Sequence, residues 1–183
     1  MDDGTGGTGV RARRDEDLAA CADALRAVHL ADGYPTNWPA DPVEWLRGGD
    51  PVGAWVACLG ERVVGHVLLT PPGAGDTAPG LVPADESVAV VGRLFVAPGA
   101  RGHRCGAALL DRAAHEARVR GCRAVLDVVT TDAAAIALYE RLGWTFLAER
   151  RQVWAPGETV TVRCYAAPAP TGAPPAVPVR RDA

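Results

Sequence analysis

Leu94–Leu110 reads LFVAPGARGHRCGAALL, a strand-like run that enters a Gly/Arg loop and opens directly into a helix. Val88, Val90, Val91, Leu94, Phe95 and Val96 make the run apolar enough for a buried strand, and Pro98 ends it by removing a ladder donor. Helical spacing resumes in Ala107, Leu109, Leu110, Ala113, Ala114 and Ala117. Between the two, Gly102 and Gly106 let a ligand approach the backbone, while Arg101 and Arg104 supply positive charge. A helix start carries N–H groups with no intrahelical acceptor and the positive end of the helix dipole, so this junction is a candidate site for a diphosphate. The same residues also fit an ordinary strand-to-helix turn with solvated arginines.

Downstream, Gly121 stops this helix and Ala124–Val129 forms another strand, which makes a parallel crossover. Asp132 caps a helix running through Leu142, Gly143 ends it, and Thr145–Val153 pairs with Thr159–Tyr165 across Pro156-Gly157. Upstream, Val10–Arg13 is a short strand, and Asp15 precedes a helical stripe of Leu18, Cys21, Leu25, Val28 and Leu30. The segment DGYPTNW, Asp32 to Trp38, is a turn-rich break. Asp41-Pro42 starts a short helix over Val43–Arg47. Gly53–Leu59 and Arg62–Leu69 form an antiparallel hairpin, followed by a Gly/Pro-rich loop from Pro71 to Asp85. The reading is one α+β domain over residues 9–166: a mixed, mostly antiparallel sheet with one parallel strand pair, flanked by about four helices. Ligands are expected at the carboxyl end of the parallel unit. Residues 1–8 and the Pro/Ala-rich tail 167–183 lack apolar periodicity and are expected to be disordered.

With 183 residues and 48% hydrophobic content the chain suits a single domain. All 19 basic residues are arginine, which excludes a Schiff-base lysine, a P-loop lysine and a lysine general base. The net charge is −3 and the arginines are interspersed with acids, so no nucleic-acid surface is indicated. Five cysteines without a Cys-x-x-Cys pair argue against a disulfide framework or a zinc site, and no metal is expected. The start MDDGTGGTGV has neither the basic residues nor the apolar run of a signal peptide, and no stretch is long enough for a membrane span. A cytoplasmic protein without membrane partners, monomeric or homodimeric, is the expectation.

Two blocks resemble the GNAT superfamily of acetyl-CoA-dependent N-acetyltransferases. The first resembles the signature in which Val-x-Pro precedes Arg-Gly-x-Gly-x-Gly and a Leu-Leu helix; it stands here as Val96-Ala97-Pro98, Arg101-Gly102-His103-Arg104-Cys105-Gly106 and Leu109-Leu110. The second resembles the family's Asn-x-x-Ala-x-x-Leu-Tyr-x-x-x-Gly-Phe block, present as Asp132, Ala135, Leu138, Tyr139, Gly143 and Trp144. Arg104 replaces the middle glycine, which costs little if that residue has helical or extended dihedrals. Asp132 replaces Asn, keeping the helix cap but losing the amide donor.

The resemblance implies that acetyl-CoA is the co-substrate. The segment Arg101, Gly102, His103, Arg104, Cys105 and Gly106 would hold its diphosphate, and Leu94, Phe95 and Val96 would pair with the pantetheine like an added strand. Asp132 and Tyr139 would complete the cofactor site, with Tyr139 as general acid for the departing thiolate. By spacing alone, Tyr139 reads first as a packed aromatic beside Leu138 and Leu142, and the family position is what favours the acid. The family's glutamate before the signature aligns with Val90, which leaves Asp85, Glu86, Asp127, His29 and His66 as candidate bases. Acceptor contacts are expected from the segment joining the first two helices: Tyr34 and Trp38 as walls and Asp32 for an ammonium. Arg93 is a candidate for a substrate carboxylate, or an outward-facing arginine. The implied activity is acetyl transfer to a primary amine of a small molecule. A protein N-terminus or lysine as acceptor, and a non-catalytic CoA-binding module, are the alternatives. Cys105 at a helix start beside His103 also allows a covalent acyl route.

Overall fold

The computed structural model describes residues 8–155 and 157–169. Residues 1–7 and 170–183, which include most of the two segments expected to be disordered, lie outside the described residues. The elements run β1 (Thr8–Ala12), α1 (Leu18–Asp32), α2 (Pro42–Arg47), β2 (Gly53–Leu59), β3 (Arg62–Thr70), β4 (Val88–Val96), α3 (Cys105–Val119), β5 (Arg123–Val129), α4 (Ala133–Arg141), β6 (Thr145–Ala155) and β7 (Glu158–Ala166). One seven-stranded sheet has the order β1-β2-β3-β4-β5-β7-β6, antiparallel except where β4 meets β5.

Helix ends follow the local chemistry. Asp41 accepts from the Glu44 N–H at 3.0 Å with Pro42 at the first helical position, and Asp132 accepts from the Ala135 N–H at 2.9 Å. α1 and α2 both stop at a left-handed glycine, Gly33 and Gly48. Alternation then sorts the strands between two layers. Leu109, Leu110, Ala113 and Ala117 of α3 bury against Ala57, Val67, Leu69, Ala89, Val91 and Leu126, and Tyr139 of α4 joins that cluster. On the opposite face, Leu18, Cys21, Leu25 and Val28 of α1 and Leu46 of α2 pack on Val56, Cys58 and Phe95.

Among the described residues no third α-helix covers the rest of that second face. The loop after β3 does so instead, with Ala78 packed on Val90, Val125, Val162 and Cys164. Asp127 of β5 fixes it there: its carboxylate accepts from the backbone N–H groups of Thr77 at 2.7 Å and Ala78 at 2.9 Å, and from Gln152 Nε2 at 2.8 Å. Asp127 is therefore an anchor with its oxygens committed, and not the base that its position on the central strand suggested. The domain also runs past its expected end. Ala167, placed in the tail by its composition, is buried, donates its N–H to Ala124 at 2.8 Å and accepts from Arg123 Nε at 2.8 Å.

Candidate active site

β4 and β5 pair through only three positions, Val88↔Arg123, Ala89↔Ala124 and Val90↔Val125. Beyond them both strands continue, to Val96 and Val129, so the sheet opens between its two parallel strands toward their carboxyl ends. The opening has a local cause in β4. Leu68 pairs with Gly92 while His66 pairs with Phe95, so β4 holds one extra residue, and the bulge carries Arg93 at φ 51°. The bulge also changes the phase of the strand. Val91 faces α3, and strict alternation would send Arg93 the same way; the extra residue turns it instead onto the α1–α2 face, over the Trp45 ring at 4.8 Å. From Val91 to Val96 the edge of β4 that faces β5 is left without a ladder partner, so backbone donors and acceptors are available beside Leu94, Phe95 and Val96.

At the mouth of the opening lies the Gly/Arg loop. After a single turn at Pro98–Ala100, Gly102 takes φ 84°, a conformation only glycine adopts without strain, and α3 begins at Cys105. The N–H groups of Gly102, His103, Arg104, Cys105, Gly106 and Ala107 have no acceptor among the described residues, and the α3 dipole stands behind them. His103 closes the loop through Nδ1 to the Arg101 carbonyl at 3.1 Å. Gly106 serves packing: a Cβ there would come within 3.2 Å of Leu138, so its hydrogen lets α3 and α4 approach.

Arg104 corrects an expectation. Its φ is 61°, the left-handed region that favours glycine, so the substitution is not free of strain. The left-handed conformation costs about 1–2 kcal/mol for a non-glycine residue, of which glycine's extra chain entropy cancels roughly 0.5–1 kcal/mol. Arg104→Gly is therefore expected to raise the urea midpoint by an amount equivalent to about 0.5–1 kcal/mol. A lowered midpoint would show that the arginine side chain contributes more than its backbone costs.

Tyr139 stands on α4 with its ring 5.7 Å from Tyr165 and 6.0 Å from Trp144. It is both the packed aromatic and the candidate acid, because its hydroxyl makes no hydrogen bond among the described residues. Burial pushes its pKa well above the usual phenol range, and the neighbouring acidic groups Tyr34, Asp132 and Tyr165 push in the same direction. Tyr34, on the α1–α2 connection, is raised for the same reasons, burial first and Asp132 among its neighbours. The two phenols face the site from opposite layers, with Asp132 a common neighbour.

The remaining candidates divide clearly. Asp32 does not stand free for an ammonium: it pairs with Arg101 and joins the end of α1 to the Gly/Arg loop. Trp38 lies against α1, 4.9 Å from His29 and beneath Arg26 at 5.2 Å. Its neighbour Tyr34 meets Trp45 edge-on at 6.5 Å, and Trp45 was missed because nothing local distinguishes it from a packing residue of a short helix. Cys105 is fully enclosed, and burial raises its pKa, so its thiol stays protonated inside the core, against a covalent route.

None of the candidate bases is placed to receive an acceptor's proton. Glu86 pairs with Arg123 at 3.5 Å at the closed end of the parallel strands, and His29 Nδ1 is engaged with the Pro35 carbonyl at 3.0 Å. Asp85 lies exposed at the end of the loop before β4. His66 is completely buried, with Nδ1 3.0 Å from the Arg93 carbonyl and Nε2 2.9 Å from an Arg13 nitrogen. Arg13 can only donate, so Nε2 accepts, the proton sits on Nδ1, and the ring is neutral. Burial pushes its pKa down to about 4. It holds the bulge carbonyl and is unavailable for proton transfer.

An open cleft of about 490 Å³ lies near the α1–α2 connection, lined by Asn37, Asp76, Thr77, Arg151, Gln152 and Trp154. Gln152 Nε2 reaches Thr77 Oγ1 at 2.7 Å and Trp154 Nε1 donates to Gln152 Oε1 at 2.9 Å, so the wall facing the loop is fixed. Among the described residues no group of three or more His, Cys, Asp or Glu side chains is placed to hold a metal ion, and no helix is long and apolar enough to cross a membrane.

Known proteins with this architecture are numerous. The chain is similar to yncA from Salmonella typhimurium, solved with its cofactor acetyl-CoA, at 20% identity over 92% of this chain and 98% of that one, with a TM-score of 0.69. It is similar to the ribosomal-protein-S18-alanine N-acetyltransferase from Escherichia coli (21% identity, 88% and 93% covered, TM-score 0.63). Arabidopsis thaliana NAA60 in complex with acetyl-CoA is likewise similar (18% identity, 87% and 98% covered, TM-score 0.66). These likenesses concern the fold. No curated protein sequence matches the chain significantly. The model of the acetyltransferase (GNAT) family matches residues 13–144, a span that takes in the bulged strand, the Gly/Arg loop, α3 and Tyr139. The protein therefore belongs to the acetyltransferase (GNAT) family and is an acyltransferase.

Proposed function

We propose that the protein transfers the acetyl group of acetyl-CoA directly to a primary amine of a small molecule. The observation that carries this reading is the separation of β4 from β5 beyond Val90 and Val125, with a loop of free N–H groups at one end and the Tyr139 phenol beside it. Acetyl-CoA supplies the activated thioester. Gly102 to Gly106 receive the diphosphate on their N–H groups, and the unpaired edge at Leu94, Phe95 and Val96 takes the pantetheine amides as a neighbouring strand would. A backbone N–H near Val96 stabilises charge that develops on the carbonyl oxygen. Tyr139 donates its proton toward the departing sulfur. Asp132 keeps the cap of α4 and adds no donor.

The acceptor amine reaches the opening from the α1–α2 face. With no carboxylate or imidazole free there, it reacts as the neutral amine, its proton leaving through water. The loop anchored on Asp127 and Gln152 lies beside the acceptor side of the opening, which supports a compact acceptor over an extended peptide. The test is release of free CoA thiol from acetyl-CoA with a panel of small amines, set against peptides with a free N-terminus or lysine. Turnover with small amines is expected. Turnover confined to peptides would move the acceptor to proteins, and cofactor binding without turnover of any amine would leave a binding module.

A further inference from the structure

Arg93 is a cation that the protein leaves without an anion. No side chain or carbonyl accepts from its guanidinium among the described residues, and Nη1 is buried with no hydrogen-bond partner. Among the described residues its compensation is the aromatic face of Trp45 at 4.8 Å and the nearby Tyr34, and both are weaker than a hydrogen-bonded carboxylate. Gly48 makes room for it: a Cβ at that position would clash with Arg93 Nη1 and with Leu68. Four acids of the α1–α2 region are committed elsewhere. Asp15 and Glu44 bind Arg47 at 3.1 and 3.2 Å, Asp17 binds Arg11 at 2.7 Å, and Asp32 is taken by Arg101.

Arg13 adds a second positive charge behind His66, satisfied only by the Leu46 and Arg47 carbonyls and the imidazole. Burial lowers the pKa of both arginines; Arg13 lowers that of Arg93 further, and no carboxylate offsets the effect at Arg93. A buried donor left unsatisfied costs free energy that a ligand's acceptor would return. The bulge that opens the sheet is also what turns Arg93 onto this face, so the charge sits one residue before the strand segment assigned to the thioester.

Resting on the transferase reading above, we propose that the acceptor bears a carboxylate beside its amine, as an amino acid does, and that Arg93 binds that carboxylate with the apolar part of the acceptor beside the Tyr34–Trp45 pair. A bidentate guanidinium contact fixes the carboxylate end and thereby aims the amine at the opening.

The experiment compares each of the twenty L-amino acids and their N-acetyl derivatives with the corresponding C-terminal amides. Binding to the full-length protein is read by calorimetry, and CoA thiol release is read in parallel. At least one carboxylate is expected to bind on the order of 100-fold more tightly than its amide. Arg93→Met is expected to abolish that preference while acetyl-CoA affinity is unchanged, and Arg93→Lys to restore part of it. Should Arg93→Met fail to fold, the wild-type carboxylate-to-amide ratio and the Arg93→Lys variant decide. Equal binding of acid and amide, or no binding of any carboxylate, overturns the proposal. Carboxylate binding without thiol release would instead sustain the anion site and refute the transferase reading, so the two failures are distinguishable.

Discussion

Tyr139→Phe is expected to lower kcat with the best acceptor by about 100-fold while the affinity for acetyl-CoA stays nearly unchanged, the loss appropriate to removing a positioned general acid. The variant is clean for a structural reason. The hydroxyl bonds to nothing among the described residues, so its removal orphans no partner, and the ring keeps its contacts with Trp144 and Tyr165. Because burial holds the phenol above its ordinary range, it remains protonated where a free tyrosine ionises, and the wild-type rate should show no fall near pH 10 from this group. Transfer from so weak an acid to a thiolate is uphill by itself. The balance closes when the tyrosinate recovers a proton from the newly acylated nitrogen, directly or through water. Steady-state kinetics of the two proteins over pH 6–10 check this; an unchanged kcat in Tyr139→Phe removes the residue from the mechanism.

Much of this arrangement was legible in the chain itself. The strand, loop and helix boundaries around Pro98, Gly121, Asp132 and Gly143 fall within a residue or two of their observed places, because each is set by local chemistry: a missing donor, a left-handed turn, a cap. The parallel crossover followed from that order alone. What was not legible depends on contacts between distant segments. The commitment of Asp127 to Thr77 and Ala78, and of Asp32 to Arg101, needs the fold before it can be seen. One signal was overlooked: Gly92 inside an otherwise apolar strand marks the bulge at Arg93. At Arg104 the residue type does not reveal the backbone, because the loop imposes a left-handed conformation on a residue that rarely adopts one.

Acidification should expose the cost of burying His66. The folded protein holds this ring neutral, with a pKa of about 4 against 6.5 for the free side chain, so between these values the unfolded chain binds more protons than the native state. Stability from this group is complete above pH 6.5 and is lost as pH falls toward 4. At about 1.4 kcal/mol per pKa unit the loss approaches roughly 3 kcal/mol, a large share of the stability of a small domain. Asp17, whose pKa is lowered by its bond to Arg11, loses its contribution only below the unfolded carboxylate range, and Asp76, raised by burial, acts in the opposite sense. Urea midpoints measured from pH 7.5 to 4 on the wild type and on His66→Gln test this. The wild type should weaken steeply below pH 6.5 and the variant, less stable at neutrality, should show a flatter profile. Parallel profiles would mean that the ring titrates freely in the native state.

The three-pair ladder between β4 and β5 has a mechanical meaning. It divides the sheet into a four-stranded leaf, β1 to β4, and a three-stranded leaf, β5 to β7, joined by a short seam at one end and bridged on one face by α3 and on the other by the Asp127-anchored loop. Each leaf keeps its own ladder, and packing on the two faces, not a continuous ladder, holds the leaves together beyond the seam. A ligand lying along the open edge of β4, as proposed for acetyl-CoA, would supply a strand-like link where the ladder between the leaves is missing.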